Sequence, residues 1–211
     1  MAAIVLRRLG HNVRVLEQTS EKNLEEKGAG ITVGSSAKEF FAKHDLTKED
    51  YFVFCPGVQY LNSDSKVTRT MKRPLLMSTW STLFYRLLAN LNGTKSEFCP
   101  SPPDLPMQQG VCSVEMGVKV IDVSYANGQV TIDYRNTLKS TNGSIQSDLV
   151  ISADGASSIV RQILLPNINR TYAGYVAWRG FVIERDVSQK SREILDPECN
   201  AFAYSGGYIL W

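Results

Sequence analysis

Apolar positions along the chain fall into alternating helical and strand periods. Ala2, Val5, Leu6 and Leu9 recur at helical spacing with Arg7 and Arg8 on the opposite face, and Gly10 is placed to stop that helix in a left-handed cap. Val13, Val15 and Leu16 predict a short buried strand that ends at Glu17. Ala37, Phe40, Phe41 and His44 predict a second short helix, with Ser35 or Ser36 as its cap. Thr47–Asp50 matches a capping box, yet the aromatic run Tyr51–Phe54 behind it favours strand. Val58–Leu61 and Val67–Met71 flank Asn62-Ser-Asp-Ser65, a hairpin turn signal. The strongest helical period runs through Trp80, Leu83, Phe84, Leu87, Leu88 and Leu91, capped by Ser78 or Thr79 and stopped by Asn92-Gly93.

The second half reads differently. Residues 93–110 hold Pro100, Pro102, Pro103 and Pro106 among polar residues, which predicts a loop or insertion. Val118–Tyr125 and Val130–Tyr134 flank Asn127-Gly128, a strong hairpin signal. After a turn at Asn142-Gly143, Ile145–Ala153 predicts a further strand ending in Asp154-Gly155. Ser157 and Ser158 then open a short helix with Ile159, Val160, Ile163 and Leu164, closed by Pro166. Tyr172–Ile183 predicts one more strand, and Tyr208–Trp211 is apolar again. Helix–strand units with hairpins between them give an α/β class with α+β character in the second half. A helix at residue 1 needs a surface to lie on, ordinarily a strand just before it in a βαβ unit.

Composition narrows the function classes. The chain has 211 residues, 43% hydrophobic and 21% charged, with a net charge of +2. That describes a globular protein of one large domain or a domain and a half, and the charge balance gives no whole-chain signature of nucleic-acid or membrane-surface binding. Cys55, Cys99, Cys112 and Cys199 are far apart, so free thiols in a reducing, cytoplasmic setting are expected rather than disulfides. No apolar run reaches the ~18 residues of a membrane span. Arg7 and Arg8 follow the apolar start instead of preceding it, the wrong order for a secretory signal.

Few residues carry chemistry by spacing alone. There is no G-x-S-x-G elbow and no H-x-x-x-H or C-x-x-C pair, so no metal site is expected, and His11 and His44 are the only histidines. No catalytic residue stands out. Gly28-Ala29-Gly30 with Gly34 looks like a phosphate-binding glycine loop, but polar Thr19–Lys27 supplies no strand before it; a flexible turn is the alternative. Glu17 at a strand end is where dinucleotide folds place an acid for ribose hydroxyls, although many strands end in a solvated Glu. Asp154-Gly155 ends an apolar strand before a capped helix, with Arg161 one turn in. Such a place binds ligands in α/β sheets, and it is also a common Asp-Gly turn.

Three stretches together resemble one family. They are Leu9-Gly-His-x-Val-x-Val-Leu-Glu17, Gly28-Ala-Gly-Ile31, and Asp148–Arg161 with its Ala153-Asp-Gly-x-x-Ser158-x-x-Arg161 core. They are similar to class A flavoprotein aromatic hydroxylases, the single-component FAD monooxygenases of the p-hydroxybenzoate hydroxylase type. Tyr172-Ala-Gly-Tyr-Val-Ala-Trp-Arg-Gly180 resembles the branch that includes 2,6-dihydroxypyridine 3-monooxygenase. The resemblance implies a partial FAD-binding Rossmann-like domain with β insertions over residues 1–165 and the beginning of a substrate-binding domain over 166–211. It implies FAD as cofactor and NAD(P)H as co-substrate: NAD(P)H reduces the flavin, O2 adds at flavin C4a, and a hydroxyl passes to an aromatic or N-heteroaromatic ring. Glu17 would hold the adenosine ribose. Asp154 and Gly155 would meet the ribityl or pyrophosphate region, Arg161 would support that turn, and Gly28, Ala29 and Gly30 would lie near the flavin. Tyr172, Tyr175, Trp178 and Arg179 would face the substrate.

The departures also carry expectations. The family's G-x-G-x-x-G loop and first strand would precede Met1, its later Gly-Asp motif would follow residue 211, and Trp80 stands about where relatives carry an FAD-contacting Arg. The resemblance therefore implies an internal piece with weak or absent FAD binding and no turnover of its own. Two other readings are an inactive or interaction module and an NAD(P)-dependent oxidoreductase using Gly28–Gly34.

Overall fold

The computed structural model describes residues 1–24, 30–64, 66–177, 180, 182–195, 199–204 and 207–210. Its helices are α1 (Ala2–Arg8), α2 (Ser35–His44), α3 (Trp80–Asn92), α4 (Ile159–Leu164) and α5 (Gln189–Leu195). Its strands are β1 (Val13–Glu17), β2 (Gly30–Thr32), β3 (Val53–Cys55), β4 (Val58–Leu61), β5 (Val67–Met71), β6 (Leu75–Thr79), β7 (Cys112–Met116), β8 (Val118–Ala126), β9 (Gln129–Asn136), β10 (Thr141–Ser147), β11 (Cys199–Tyr204) and β12 (Gly207–Leu210). The chain forms two compact units, one of residues 1–5, 27–106 and 179–211, the other of residues 6–26 and 107–178.

In the first unit, β6 is the middle strand of an antiparallel sheet β2-β6-β3, and a second sheet runs β12-β11-β4-β5. In the second sheet β11 lies parallel to β4 and the other pairings are antiparallel. The hairpin β4–β5 turns on Asn62, whose Oδ1 accepts the N–H groups of Asp64 and Lys66 at 3.0 Å each. Helix α3 leaves β6 directly, because Thr79 Oγ1 accepts the Thr82 N–H at 3.1 Å and satisfies one orphan donor of the first turn. Gly93, at φ 78, stops it in the left-handed region. Phe41, Cys55, Leu61, Tyr85, Ala89, Leu91 and Cys99 are buried in this unit.

The buried side of α3 also holds a polar cluster. Arg86 and Asn90 are 4% and 3% exposed, and Arg86 Nε pairs with Asp45 Oδ2. Asn90 Nδ2 donates to Asp45 Oδ1 at 2.7 Å, and Asn90 Oδ1 accepts the Leu46 N–H at 2.8 Å. The Arg86 guanidinium lies 4.7 Å over the Tyr51 ring, which itself meets Phe41 at 4.5 Å. This network ties α3 to the segment after α2, and its buried charges are matched on every side.

In the second unit, β1 and β7 pair in parallel from Val13↔Cys112 to Glu17↔Met116. Bidentate pairing of Arg14 with Glu115, at 2.5 and 3.0 Å, bridges the two strands on the exposed side. Gly110 is required where the chain enters β7: a Cβ there would sit 1.9 Å from the His11 carbonyl oxygen. Strands β8, β9 and β10 form an antiparallel meander with Val118 and Ile132 buried. Asn127 and Gly128 make its first turn with φ of 53 and 81, the mirror-image turn that suits twisted strands. Helix α4 packs against β8.

Several sequence expectations need correction. Gly34, not Ser35 or Ser36, is the N-cap of α2, and both serines lie in the first turn. Asn142-Gly143 is not a turn but part of β10, opposite Tyr134; a Cβ at Gly143 would lie 2.6 Å from that ring, so the glycine makes room for an aromatic. The strand expected over Ile145–Ala153 ends at Ser147. Leu149 and Ile151 are 64% and 53% exposed, and an apolar run without a pairing partner has no ladder to join. The described part of Tyr172–Ile183 contains no strand. Among the described residues no helix is long and apolar enough to cross a membrane.

Candidate functional site

The Asp154–Arg161 segment is a closed hydrogen-bonded turn. Asp154 Oδ1 accepts from Ser152 Oγ at 2.5 Å, and Oδ2 accepts the Ile159 and Val160 N–H groups at 2.8 and 3.4 Å. Burial pushes this carboxyl's pKa up, but hydrogen bonds from Ser152, Ser158 and the Val160 backbone outweigh burial and hold it at about 2. Ser158, which is buried, caps α4 by accepting the Arg161 N–H at 2.9 Å. The Arg161 guanidinium folds back onto the turn, donating to Gly155 O at 3.3 Å and Ala156 O at 2.6 Å. Arg170 Nη1 donates to Ser157 Oγ at 3.3 Å. Gly155 sits at φ 70 with nothing within 4 Å of the position a Cβ would take, so backbone lies open there.

Glu17 ends β1 half-buried, with Oε1 accepting the Thr19 N–H at 2.7 Å. Thr19 in turn accepts the Gly117 N–H at 3.1 Å, which anchors the loop after β1 to the end of β7. Glu17 and the Asp154–Arg161 turn belong to the same compact unit. Their hydrogen-bonding chemistry suits a dinucleotide: a carboxylate acceptor at a strand end, and an ionised carboxylate, a bare glycine and guanidinium donors at an exposed turn. Sequence reasoning missed the supporting residues. Ser152, two positions before Asp154, was readable as a local hydroxyl donor; Arg170 had no signal at all.

The remaining candidates are placed as follows. Gly30 opens β2, opposite Thr79, in the other unit. Gly28, Ala29, Trp178 and Arg179 lie outside the described residues. Tyr172 and Tyr175 are 75% and 69% exposed. Trp80 stacks on Phe84 with centroids 4.6 Å apart. Among the described residues no group of His, Cys, Asp and Glu could hold a metal. Cys55, Cys99 and Cys112 form no disulfide, and Cys55 Sγ donates to Gly57 O at 2.9 Å; burial raises the pKa of Cys99 and of Cys112. An open depression of about 480 Å³ lies on the meander, lined by Ile121, Asp122, Asp133, Asn142, Gly143 and Ser144, none of them a candidate above.

The profile of the FAD binding domain-like family matches residues 172–211. The protein ntnJ of a Nectria species is 25% identical over 203 residues, covering 92% of this chain and 42% of its own length. The protein atnJ of an Arthrinium species is 23% identical over 224 residues, covering 96% of this chain and 47% of its own. Both are FAD-dependent monooxygenases. The chain spans less than half the length of either. Among solved structures, p-nitrophenol 4-monooxygenase PnpA of Pseudomonas putida DLL-E4 superposes with a TM-score of 0.54 at 18% identity, over 77% of this chain and 39% of its own. The flavin-dependent monooxygenase PieE, solved with FAD and substrate, gives 0.54 at 14% identity, over 77% of this chain and 29% of its own. The fold is thus a mixed α/β fold similar to that of FAD-binding monooxygenases.

Proposed function

We propose that this sequence belongs to an FAD-dependent monooxygenase that hydroxylates an aromatic or N-heteroaromatic ring with NAD(P)H and O2, in the branch of 2,6-dihydroxypyridine 3-monooxygenase. The observation that carries the reading is the Asp154–Arg161 turn, in which an acid of pKa about 2 and an arginine hold open backbone at Gly155. The match to the FAD binding domain-like profile and the two curated relatives support FAD as the cofactor.

In this reading the flavin supplies the redox and oxygen chemistry, and the protein binds and orients it. Glu17 accepts hydrogen bonds from the adenosine ribose. Asp154 accepts from a ribityl hydroxyl through Oδ1, beside the Ser152 bond. Gly155 admits the close approach of a phosphate, and Arg161 keeps the turn in shape by holding its carbonyls. Tyr172 and Tyr175, in the same unit as Glu17 and Asp154, would face the substrate. A cytoplasmic location would agree with Cys55, Cys99 and Cys112, none of which forms a disulfide.

The test is nucleotide selectivity. The chain is titrated separately with FAD and with NADPH, following flavin quenching and nicotinamide fluorescence. Weak but saturable FAD binding, with no NADPH binding in the absence of flavin, is expected. NADPH binding alongside indifference to FAD would instead support an NAD(P)-dependent oxidoreductase.

A further inference from the structure

We propose that the hairpin β4–β5 is a docking arm for an acidic peptide segment, which adds as a strand to the outer edge of β5. The charge distribution points there. Residues 62–73 contain Lys66, Arg69, Lys72 and Arg73 against one acid, Asp64, a net +3; the whole chain is +2, so everything else sums to −1. All four cations are exposed, and none makes an ion pair among the described residues.

The strand itself is unusual. Four of the five residues of β5 are exposed, so it contributes almost nothing to a core. It is the terminal strand of its sheet, and its outer edge has no partner strand among the described residues. An edge of this kind offers main-chain donors and acceptors that only another extended chain satisfies. Arg69 within the strand, with Lys66 just before it and Lys72 and Arg73 just after it, repels a second basic edge and favours one bearing Asp or Glu. Across the ladder, the Arg69 guanidinium also makes a cation–π contact 5.9 Å over the Tyr60 ring of β4. Gly57 fixes the base of the arm, since a Cβ there would lie 2.6 Å from Met71 O. A strand bare on both faces offers no concavity to enclose a small molecule, and Val67 is its one strongly exposed apolar side chain, too little to enter a membrane.

The experiment uses the 211-residue chain and a fluorescein-labelled peptide alternating Glu with Thr and Val. Anisotropy is measured at low and high salt. A second peptide carries N-methyl groups at alternate residues, which keeps its charge and removes strand pairing. Saturable binding is expected that weakens about tenfold or more in the Arg69→Glu/Lys72→Glu variant and in the N-methylated peptide. The reversal of an exposed cation elsewhere, Lys139→Glu, should leave binding within about twofold. Circular dichroism checks that each variant keeps its fold, as substitutions at these exposed positions should. Equal binding of the N-methylated peptide, insensitivity to the Arg69/Lys72 reversal, or tighter binding to phosphatidylserine vesicles or single-stranded RNA than to the peptide would overturn the proposal.

Discussion

Asp154 shows how one carboxylate shapes a site. Its folded-state pKa of about 2 lies below the ordinary 3.8, so the native turn stabilises the ionised form. That stabilisation is fully present above pH 3.8 and is lost as the pH falls through about 2. Asp154→Asn keeps an acceptor oxygen but removes the charge behind its hydrogen bonds, and should therefore lower stability to urea at neutral pH by about 1 kcal/mol. The gap to the native chain should close as the pH approaches 2; a gap that stayed constant with pH would contradict the assignment. Gly110 is a second decisive residue. Gly110→Ala places a methyl against the His11 carbonyl, and a loss of more than about 2 kcal/mol is expected in the same assay. Asp154, Gly155 and Arg161 were all legible as a spaced motif. Gly110 was not, because its role arises from a chain segment about a hundred positions earlier and leaves no local pattern.

Helix α3 shows what periodicity can and cannot report. Trp80 to Leu91 gave its extent, Thr79 its start and Gly93 its end. The fully buried positions nevertheless include Ser81, Arg86 and Asn90, while Leu83, Phe84, Leu87 and Leu88 are half-buried. An apolar stripe marks a helix but does not reveal that an acid from a distant loop will neutralise an arginine beside it. Arg86→Ala leaves Asp45 buried and without its charge partner, and should cost about 3 kcal/mol or more. Thr79→Ala removes only a cap and should cost about 1 kcal/mol. Chemical denaturation of both variants should rank them in that order. Among strands, the two hairpins with strong turn chemistry were legible, whereas β2, β6, β7 and β11 were not. A short strand of three to six residues owes its existence to a partner elsewhere, and its own pattern is too brief to declare it. The opposite error, a strand over Leu149–Ala153, arose because apolar β-branched residues signal pairing whether or not a partner is at hand.

For the whole molecule, the hydrophobic pattern pointed to an α/β class, and FAD entered only through the resemblance of three stretches to a flavoprotein family. The parallel pair β1–β7 places Glu17 at a strand's carboxyl end, where open α/β sheets receive ligands. The division into two units could not be read, because each is assembled from separated stretches of chain. The central claim is that Glu17 and the Asp154–Arg161 turn recognise FAD. Its most direct measurement is titration of the native, Asp154→Ala and Glu17→Gln chains with FAD, followed by flavin fluorescence. The Asp154 turn is exposed and its carboxylate already holds internal donors, so weak but saturable binding is expected, with a Kd of roughly 10–1000 µM. Each substitution should weaken it about fivefold or more, the loss of one charge-assisted hydrogen bond. A signal that rises linearly without saturating, or equal binding by the native chain and folded Asp154→Ala, would contradict the account.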